Sequence, residues 1–246
     1  MSPIQCRLIV DSAHEGAWNM AVDEVLLASA AATSVWQLRV YGWQVPTLSL
    51  GYFQRYEERL AHGASRQAAV VRRASGGGAI LHDHDVTYSL AFPARQGARD
   101  HRRLYGVVHE ALARMLNSLG VPATLQGPMK DQPRQPPFLC FQRRAEGDIL
   151  LRNAKIVGSA QRRSREAVLQ HGSLLIAQSA AAPELPGLES LANVRLPSDD
   201  WQGLIAQAIL TALGAGAEPA EMTADEAEQV QRLVAEKFGR PEWTRR

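Results

Sequence analysis

Two side chains in the second half of the sequence have chemistry suited to carrying an acyl group. They are Cys140, in PPFLCFQ, and Lys155, in AKIVGSAQRR. The thiolate, not the thiol, is the nucleophile, so an ammonium beside a cysteine raises the reactive fraction. A thiolate that attacks an acyl thioester makes a second thioester. That step is close to thermoneutral, because the same kind of bond is broken and made. A lysine amine attacking the new thioester gives an amide, which is downhill, and the route needs no ATP and no metal. Each residue also has an ordinary reading. Cys140 stands beside two large apolar residues, as a small buried hydrophobe would, and a strand lysine usually points to water.

A second candidate is RRASGGGAILHD, Arg72 to Asp83. Three glycines in a row match neither G-x-x-x-x-G-K-[ST] nor G-x-G-x-x-G opening a helix, and an apolar strand follows them. The segment reads as strand, loop, strand. It is either a plain tight turn or a backbone wall lying close to a ligand. Arg72 and Arg73 supply planar donor forks suited to carboxylate or phosphate, although arginines at strand edges are ordinarily solvated. His82 and Asp83 form a pair that suggests a base and its orienter, with a structural hydrogen bond bracing the loop as the favoured reading. His82 and His84 point to opposite faces of a strand, which argues against a metal site.

These residues need elements to hold them. Alternation and apolar runs predict strands at Cys6–Val10, Val35–Trp43 and Pro46–Gln54, and more on either side of the glycine loop up to Pro93. Helical spacing appears in Gly16–Ala30, where Trp18, Ala21, Val22, Val25 and Leu26 share a face, and in Asp100–Val121. RYEERLAHGA reads as a short polar helix, and the proline-rich QGPMKDQPRQPPFLCF as a loop. DILLRNAKIVGSAQRR and AVLQHGSLLI read as hairpin strands, followed by helices at Ser198–Ala215 and, capped by Thr223, at Thr223–Gly239. There is no strict strand-helix rhythm. The expected fold is α+β, with mixed or antiparallel sheets flanked by helices in a single domain over 1–246.

Composition narrows the function. The chain has 246 residues, 46% hydrophobic and 21% charged, with a net charge of +2, which gives no case for nucleic acid. No apolar run approaches the roughly 20 residues of a membrane span, and the N-terminus lacks a secretory pattern, so a cytoplasmic protein away from the membrane is expected. Cys6 and Cys140 are the only cysteines, too few for a disulfide scaffold or a zinc site.

RRASGGGAILHDHDVTYS, followed by DILLRNAKIVGSAQRR and LQHGSLLI, resembles the lipoate-protein ligase and octanoyltransferase superfamily, which shares its catalytic fold with biotin protein ligases. The resemblance runs from AWNMAVDEVLL to EKFGRPEWTRR. It implies a tunnel for a fatty-acyl chain between the glycine segment and the KIVGSAQ strand. Ligases activate lipoate with ATP and require no cysteine. One octanoyltransferase branch adds a cysteine in a CF context just before the KxxGSAQ strand, where Cys140-Phe141 stands here, and VTYS and VLQHGSLL resemble that branch. The triple glycine is the ligase-like form, since the branch often carries GGR. A separate C-terminal accessory domain, as many ligases carry, is not expected.

The resemblance therefore implies transfer of octanoyl from acyl carrier protein to a lysine of a lipoyl domain of a 2-oxoacid dehydrogenase, or of the glycine-cleavage H protein, without cofactor or metal. An ATP- and Mg-dependent lipoate ligase, an amidotransferase between lipoyl domains and a non-catalytic acyl or carrier-protein binder are the alternatives. Cys140 would be the nucleophile. Lys155 would stabilise its thiolate, polarise the acyl carbonyl or accept a proton. Gly76, Gly77 and Gly78 would shape the tunnel wall and donate backbone N–H groups. Arg73 would bind phosphopantetheine or face water, and His82, His171 and Gly172 would line or brace the pocket. Gly158, Ser159 and Ala160 would belong to the substrate-binding strand, where Gly158 and Ala160, alternating with Ser159 and Gln161, keep one face small. Arg143, Arg144, Arg162, Arg163 and Arg165 would form a basic field that steers an acidic carrier. Burying an eight-carbon chain would contribute about 5 kcal/mol before ordering costs.

Overall fold

The computed structural model describes residues 4–94, 101–129, 135–192 and 200–246. Residues 130–134 of the proline-rich segment, Asp100, Ser198 and Asp199 lie outside them. The strands are β1 (Ile4–Val10), β2 (Trp36–Tyr41), β3 (Thr47–Leu50), β4 (Ala69–Arg72), β5 (Ile80–His82), β6 (Asp85–Pro93), β7 (Thr124–Leu125), β8 (Ile149–Leu151), β9 (Ala154–Arg163), β10 (Ala167–Leu175) and β11 (Ala215–Pro219). The helices are α1 (Gly16–Thr33), α2 (His101–Ser118), α3 (Leu188–Leu191), α4 (Trp201–Leu213), α5 (Ala224–Leu233) and α6 (Pro241–Thr244).

Eight strands form one sheet in the order β11-β1-β2-β6-β10-β9-β8-β7. β1 pairs in parallel with β2 and β11, and β2-β6-β10-β9 run antiparallel. Parallel neighbours need a crossover, and α1 supplies it between β1 and β2. A second sheet, β4-β3-β5, carries the glycine loop between β4 and β5. The mixed α+β architecture expected from the sequence is the one observed.

Side chains alternate across a strand, so the central sheet has two working faces. One packs against α2 and α4 through Leu38, Leu90, Val108, Leu112, Ile205 and Ile209. The other packs against α1 and the C-terminal helices through Val22, Leu26, Tyr41, Leu169, Val230 and Phe238. α1 is buried almost all round, not on a single stripe: Asn19, Met20, Asp23 and Leu27 are buried along with Ala21, Val22, Val25 and Leu26. Strands, C-terminal elements and the small sheet enclose it together. α5 opens with a complete capping box between Thr223 and Glu226, and Arg7 on β1 binds Glu226 at 2.7 Å.

Candidate active site

Cys140 opens a single 3-10 turn, Cys140–Gln142. Its neighbours anchor it: Leu139 and Phe141 are buried in a core with Leu48, Leu50, Ala79 and Leu81, beneath the small sheet. The backbone is pinned as well. Ala79 N–H donates to Phe138 O at 3.1 Å, and Cys140 N–H donates to Ala79 O at 2.7 Å. The cysteine is thus clipped to the residue that directly follows the glycine loop, and it stays half-buried while its neighbours are core.

Lys155 reaches it from β9. Nζ lies 3.7 Å from Cys140 Sγ and 2.9 Å from Asp148 Oδ2. Both members of the ion pair are buried. Asp148 also accepts from Ala145 N–H at 2.7 Å and from Tyr105 O–H at 3.4 Å. Burial pushes the Asp148 carboxyl above its usual range, and the Lys155 ammonium beside it opposes that rise. The lysine takes this path because Gly158 lacks a side chain: a Cβ there would stand 2.3 Å from Lys155 Cε. Cys6, the other cysteine, is buried, and burial pushes its thiol up to about 11, as befits an inert core residue.

Arg72 and Arg73 are both buried, contrary to the solvated edge expected. Arg73 does not face water. Its guanidinium donates to Ser49 O, Gly76 O and Gly78 O at 2.7–2.8 Å. Burial pushes it down to about 10, opposed by the nearby Cys140 sulfur. Arg72 donates to Gly51, Gln54 and Thr244 carbonyls and so ties the C-terminal segment to the loop. The two arginines satisfy carbonyls that a bent, glycine-rich backbone leaves without ladder partners. Gly77 sits at φ +96°, which favours glycine, and Arg143 lies across Gly78.

Beside this loop is a narrow cleft of about 20 Å³, partly open to solvent. Its walls include Met20 from α1, Ile80, Arg73, Ala160 and His171. Gly76, Gly77 and Gly78 are not among its lining residues, whereas Arg73 and Ile80, on either side of them in the chain, are. Gly158 and Ala160 share a strand face, as expected, and Ala160 borders the cleft. Ser159 does not. It points to the opposite face, where its Oγ meets Tyr88 O–H at 2.7 Å and His109 Nε2 at 2.6 Å. Gly172 borders the cleft only by its backbone; a Cβ there would collide with Ser159 Oγ at 2.0 Å.

The two histidines are braces. His82 Nδ1 bonds Asp85 at 2.8 Å and its Nε2 bonds Ser49 Oγ at 3.0 Å, so the carboxylate partner is Asp85 and not the adjacent Asp83. Burial lowers the basicity of His82. His171 Nε2 bonds Ser75 Oγ in the glycine loop, and its Nδ1 bonds Asp23 on α1 at 3.0 Å. Among the basic residues, Arg162 pairs with Glu24 at 3.1 Å, Arg144 binds Asn153, and Arg163 and Arg165 are exposed.

Sequence reasoning missed Asp148, Tyr105, His109, Asp23 and Ser75. Asp148 precedes a strand in EGDILL, and an acidic residue at a loop end is ordinarily solvent-facing. Only the tertiary fold turns it inward. Asp23 had a signal of a kind, as one of two adjacent charges, with Glu24, inside a mostly apolar helix.

The Lipoyl protein ligase A/B catalytic domain profile matches residues 15–184. The octanoyltransferase LipM of Kyrpidia tusciae is 33% identical, over 98% of each chain. That of Moorella thermoacetica is 35% identical, over 78% of this chain and 70% of its own. A structure from the lipoylation system of Thermoplasma acidophilum, a bi-partite lipoate protein ligase and its E2 lipoyl domain, superposes with a TM-score of 0.76. It is 19% identical and covers 98% of this chain and 96% of that one, a likeness of fold.

Proposed function

Because the chain belongs to the lipoyl protein ligase A/B catalytic-domain family, we propose that it is an octanoyltransferase of lipoate biosynthesis with Cys140 as the acyl carrier. The donor is octanoyl acyl carrier protein. The acceptor is a lysine of a lipoyl domain or of the glycine-cleavage H protein. The observation that carries this reading is the half-buried thiol 3.7 Å from an ammonium that is itself held by a buried carboxylate.

In the first step the Cys140 thiolate attacks the thioester carbonyl of the donor. A carbon–sulfur bond forms to Sγ, the bond to the carrier's sulfur breaks, and the carrier thiolate leaves and takes a proton from solvent. In the second step the neutral amine of the acceptor lysine attacks the Cys140 thioester. The amide forms, the amine proton is lost to solvent, and Cys140 leaves as a thiolate. Lys155 acts as a standing cation in both. If it gave up its proton, Asp148 would be left as an unpaired buried charge. It therefore stabilises Sγ as nucleophile in the first step and as leaving group in the second. One thioester is exchanged for another and then for an amide, so neither ATP nor Mg²⁺ is consumed. Arg163 and Arg165, exposed at the end of the β9–β10 hairpin, offer a landing field for an acidic carrier.

The test is transfer without nucleotide. Octanoyl carrier protein and an apo lipoyl domain, incubated with the enzyme and no ATP, should yield octanoylated lipoyl domain. Formation of an acyl-adenylate from free lipoate, ATP and Mg²⁺, with no transfer from the carrier, would make this a ligase in which Cys140 is incidental.

A further inference from the structure

A loaded Cys140 faces a hazard inside its own site. Lys155 Nζ lies 3.7 Å from Sγ, so an acyl carbon bonded to that sulfur comes within the roughly 3–3.5 Å of a near-attack position. A neutral amine there would do what the acceptor lysine does. Its lone pair would attack the carbonyl carbon and form a carbon–nitrogen bond. The bond to Sγ would break, Cys140 would leave as a thiolate, and Nζ would lose a proton to solvent. The product is a stable amide on the enzyme itself, and it cancels the cation on which both transfer steps depend. A well-oriented group within one molecule acts as if present at about 10⁵ M or more. No acceptor protein reaches that concentration, so a neutral Lys155 would take the acyl group first.

The carboxylate of Asp148 stands against this. Its Oδ2 is 2.9 Å from Nζ, nearer than the sulfur, and among the described residues it is the one carboxylate paired with Lys155. It is firmly placed. Ala145 N–H donates to Oδ2 at 2.7 Å, and Asp148 N–H donates back to Ala145 O at 3.1 Å. Gln126 N–H donates to Asp148 O at 2.7 Å. Burial pushes the Tyr105 phenol up, so it keeps its proton and donates to Oδ1 at 3.4 Å. An exposed lysine would stabilise Sγ as an ammonium with no partner at all. Lys155 is only 7% exposed, and burial favours the neutral amine, so here the proton has to be held by a countercharge.

We propose that Asp148 is a positioning residue that keeps the enzyme from acylating itself: by holding Lys155 as an ammonium it lets the cation stand beside the thioester without becoming the acceptor. The assignment rests on the acyltransferase reading above.

The experiment incubates wild type, Asp148→Asn and Asp148→Asn/Lys155→Met with octanoyl carrier protein and no acceptor, then maps the adducts by peptide mass spectrometry before and after hydroxylamine. Hydroxylamine strips thioesters and leaves amides. Wild type at pH 7 should hold its octanoyl on Cys140 in the labile form. Asp148→Asn should pass it to Lys155 at least 100-fold faster than wild type, the least expected when one member of a buried pair is removed. The double variant should form no resistant adduct on the peptide containing position 155. Should Asp148→Asn fail to fold or to load, the wild-type acyl-enzyme is followed from pH 7 to pH 9.5. The groups around Nζ are Asp148, the Phe141 ring and the sulfur, with Tyr105 and His109 behind. The esterified sulfur does not titrate, Tyr105 is pushed up, and His109 is pushed down to about 4, so Lys155 is the group whose proton is at stake. Transfer to it should rise about tenfold per pH unit, as the neutral amine does. An Asp148→Asn enzyme whose thioester lasts as long as that of wild type, or a wild-type acyl-enzyme that forms no Lys155 amide by pH 9.5, overturns the guard and leaves the transferase standing. Wild type that takes no octanoyl on Cys140 overturns both.

Discussion

Replacing Lys155 by methionine removes the ammonium while keeping most of the stem volume. At 3.7 Å, opposite unit charges attract by about 4 kcal/mol at an effective dielectric near 20, and by about 1 kcal/mol in water. A half-buried thiol sits between these limits, so about 2–3 kcal/mol is expected, a roughly 30- to 160-fold drop in thiolate-dependent rate. The same substitution strands Asp148, which is buried and would lose its countercharge. Breaking one side of a buried pair costs about 3–5 kcal/mol of stability. The double variant Asp148→Asn/Lys155→Met separates the two effects: it should recover much of the stability and none of the rate. The assays are the alkylation rate of Cys140 by iodoacetamide at pH 7, acylation by octanoyl carrier protein, and urea unfolding. A double variant that alkylates and acylates at the wild-type rate would refute the reasoning, as would a single variant as stable as the double.

Gly158→Ala should weaken site and fold together. The new Cβ meets Lys155 Cε and Nζ, and a lysine that swings away gives up its buried pair with Asp148, so acylation should drop by at least tenfold and urea unfolding should show a loss approaching about 3–5 kcal/mol. Gly172→Ala should cost about 1–3 kcal/mol in urea unfolding because its Cβ meets Ser159 Oγ, Gly158 O and the Tyr88 ring. His109 is pushed down to about 4 by burial, from an ordinary 6.5. Its neutral form is the folded one, so its contribution is complete above pH 6.5 and is lost as pH falls toward 4. Between pH 7 and pH 5 that amounts to about 2 kcal/mol, and His109→Gln should lose that much less over the same interval in urea unfolding; parallel losses would contradict the assignment.

Local pattern made much of this protein legible. The amphipathic stripe of α2, the acidic cap of α4 and the Thr223 cap of α5 all follow from short-range rules. β11 was missed because AGAEP has no alternation; it is a strand because β1 has an open edge beside it. α1 reads as one-sided because Asn19 and Asp23 fall among its polar positions, which in isolation belong in water. They are buried because Arg39 reaches both from β2. Arg73 illustrates the same limit: nothing in RRASGGG says that the arginine will fold back on its own loop. At the site, Cys140 and Lys155 were legible as a pair by their chemistry and by the company of KIVGSAQ. Asp148 and Tyr105, which come from separate elements, became visible only when the sheet closed around them.

The central claim is that Cys140 carries the octanoyl group. Incubation with octanoyl carrier protein, followed by intact-mass and peptide mass spectrometry, tests it most directly. The account predicts one octanoyl adduct on the peptide containing Cys140, released by hydroxylamine, absent in Cys140→Ala and chased off by an apo lipoyl domain. An unmodified Cys140 in an enzyme that still transfers octanoyl would contradict it.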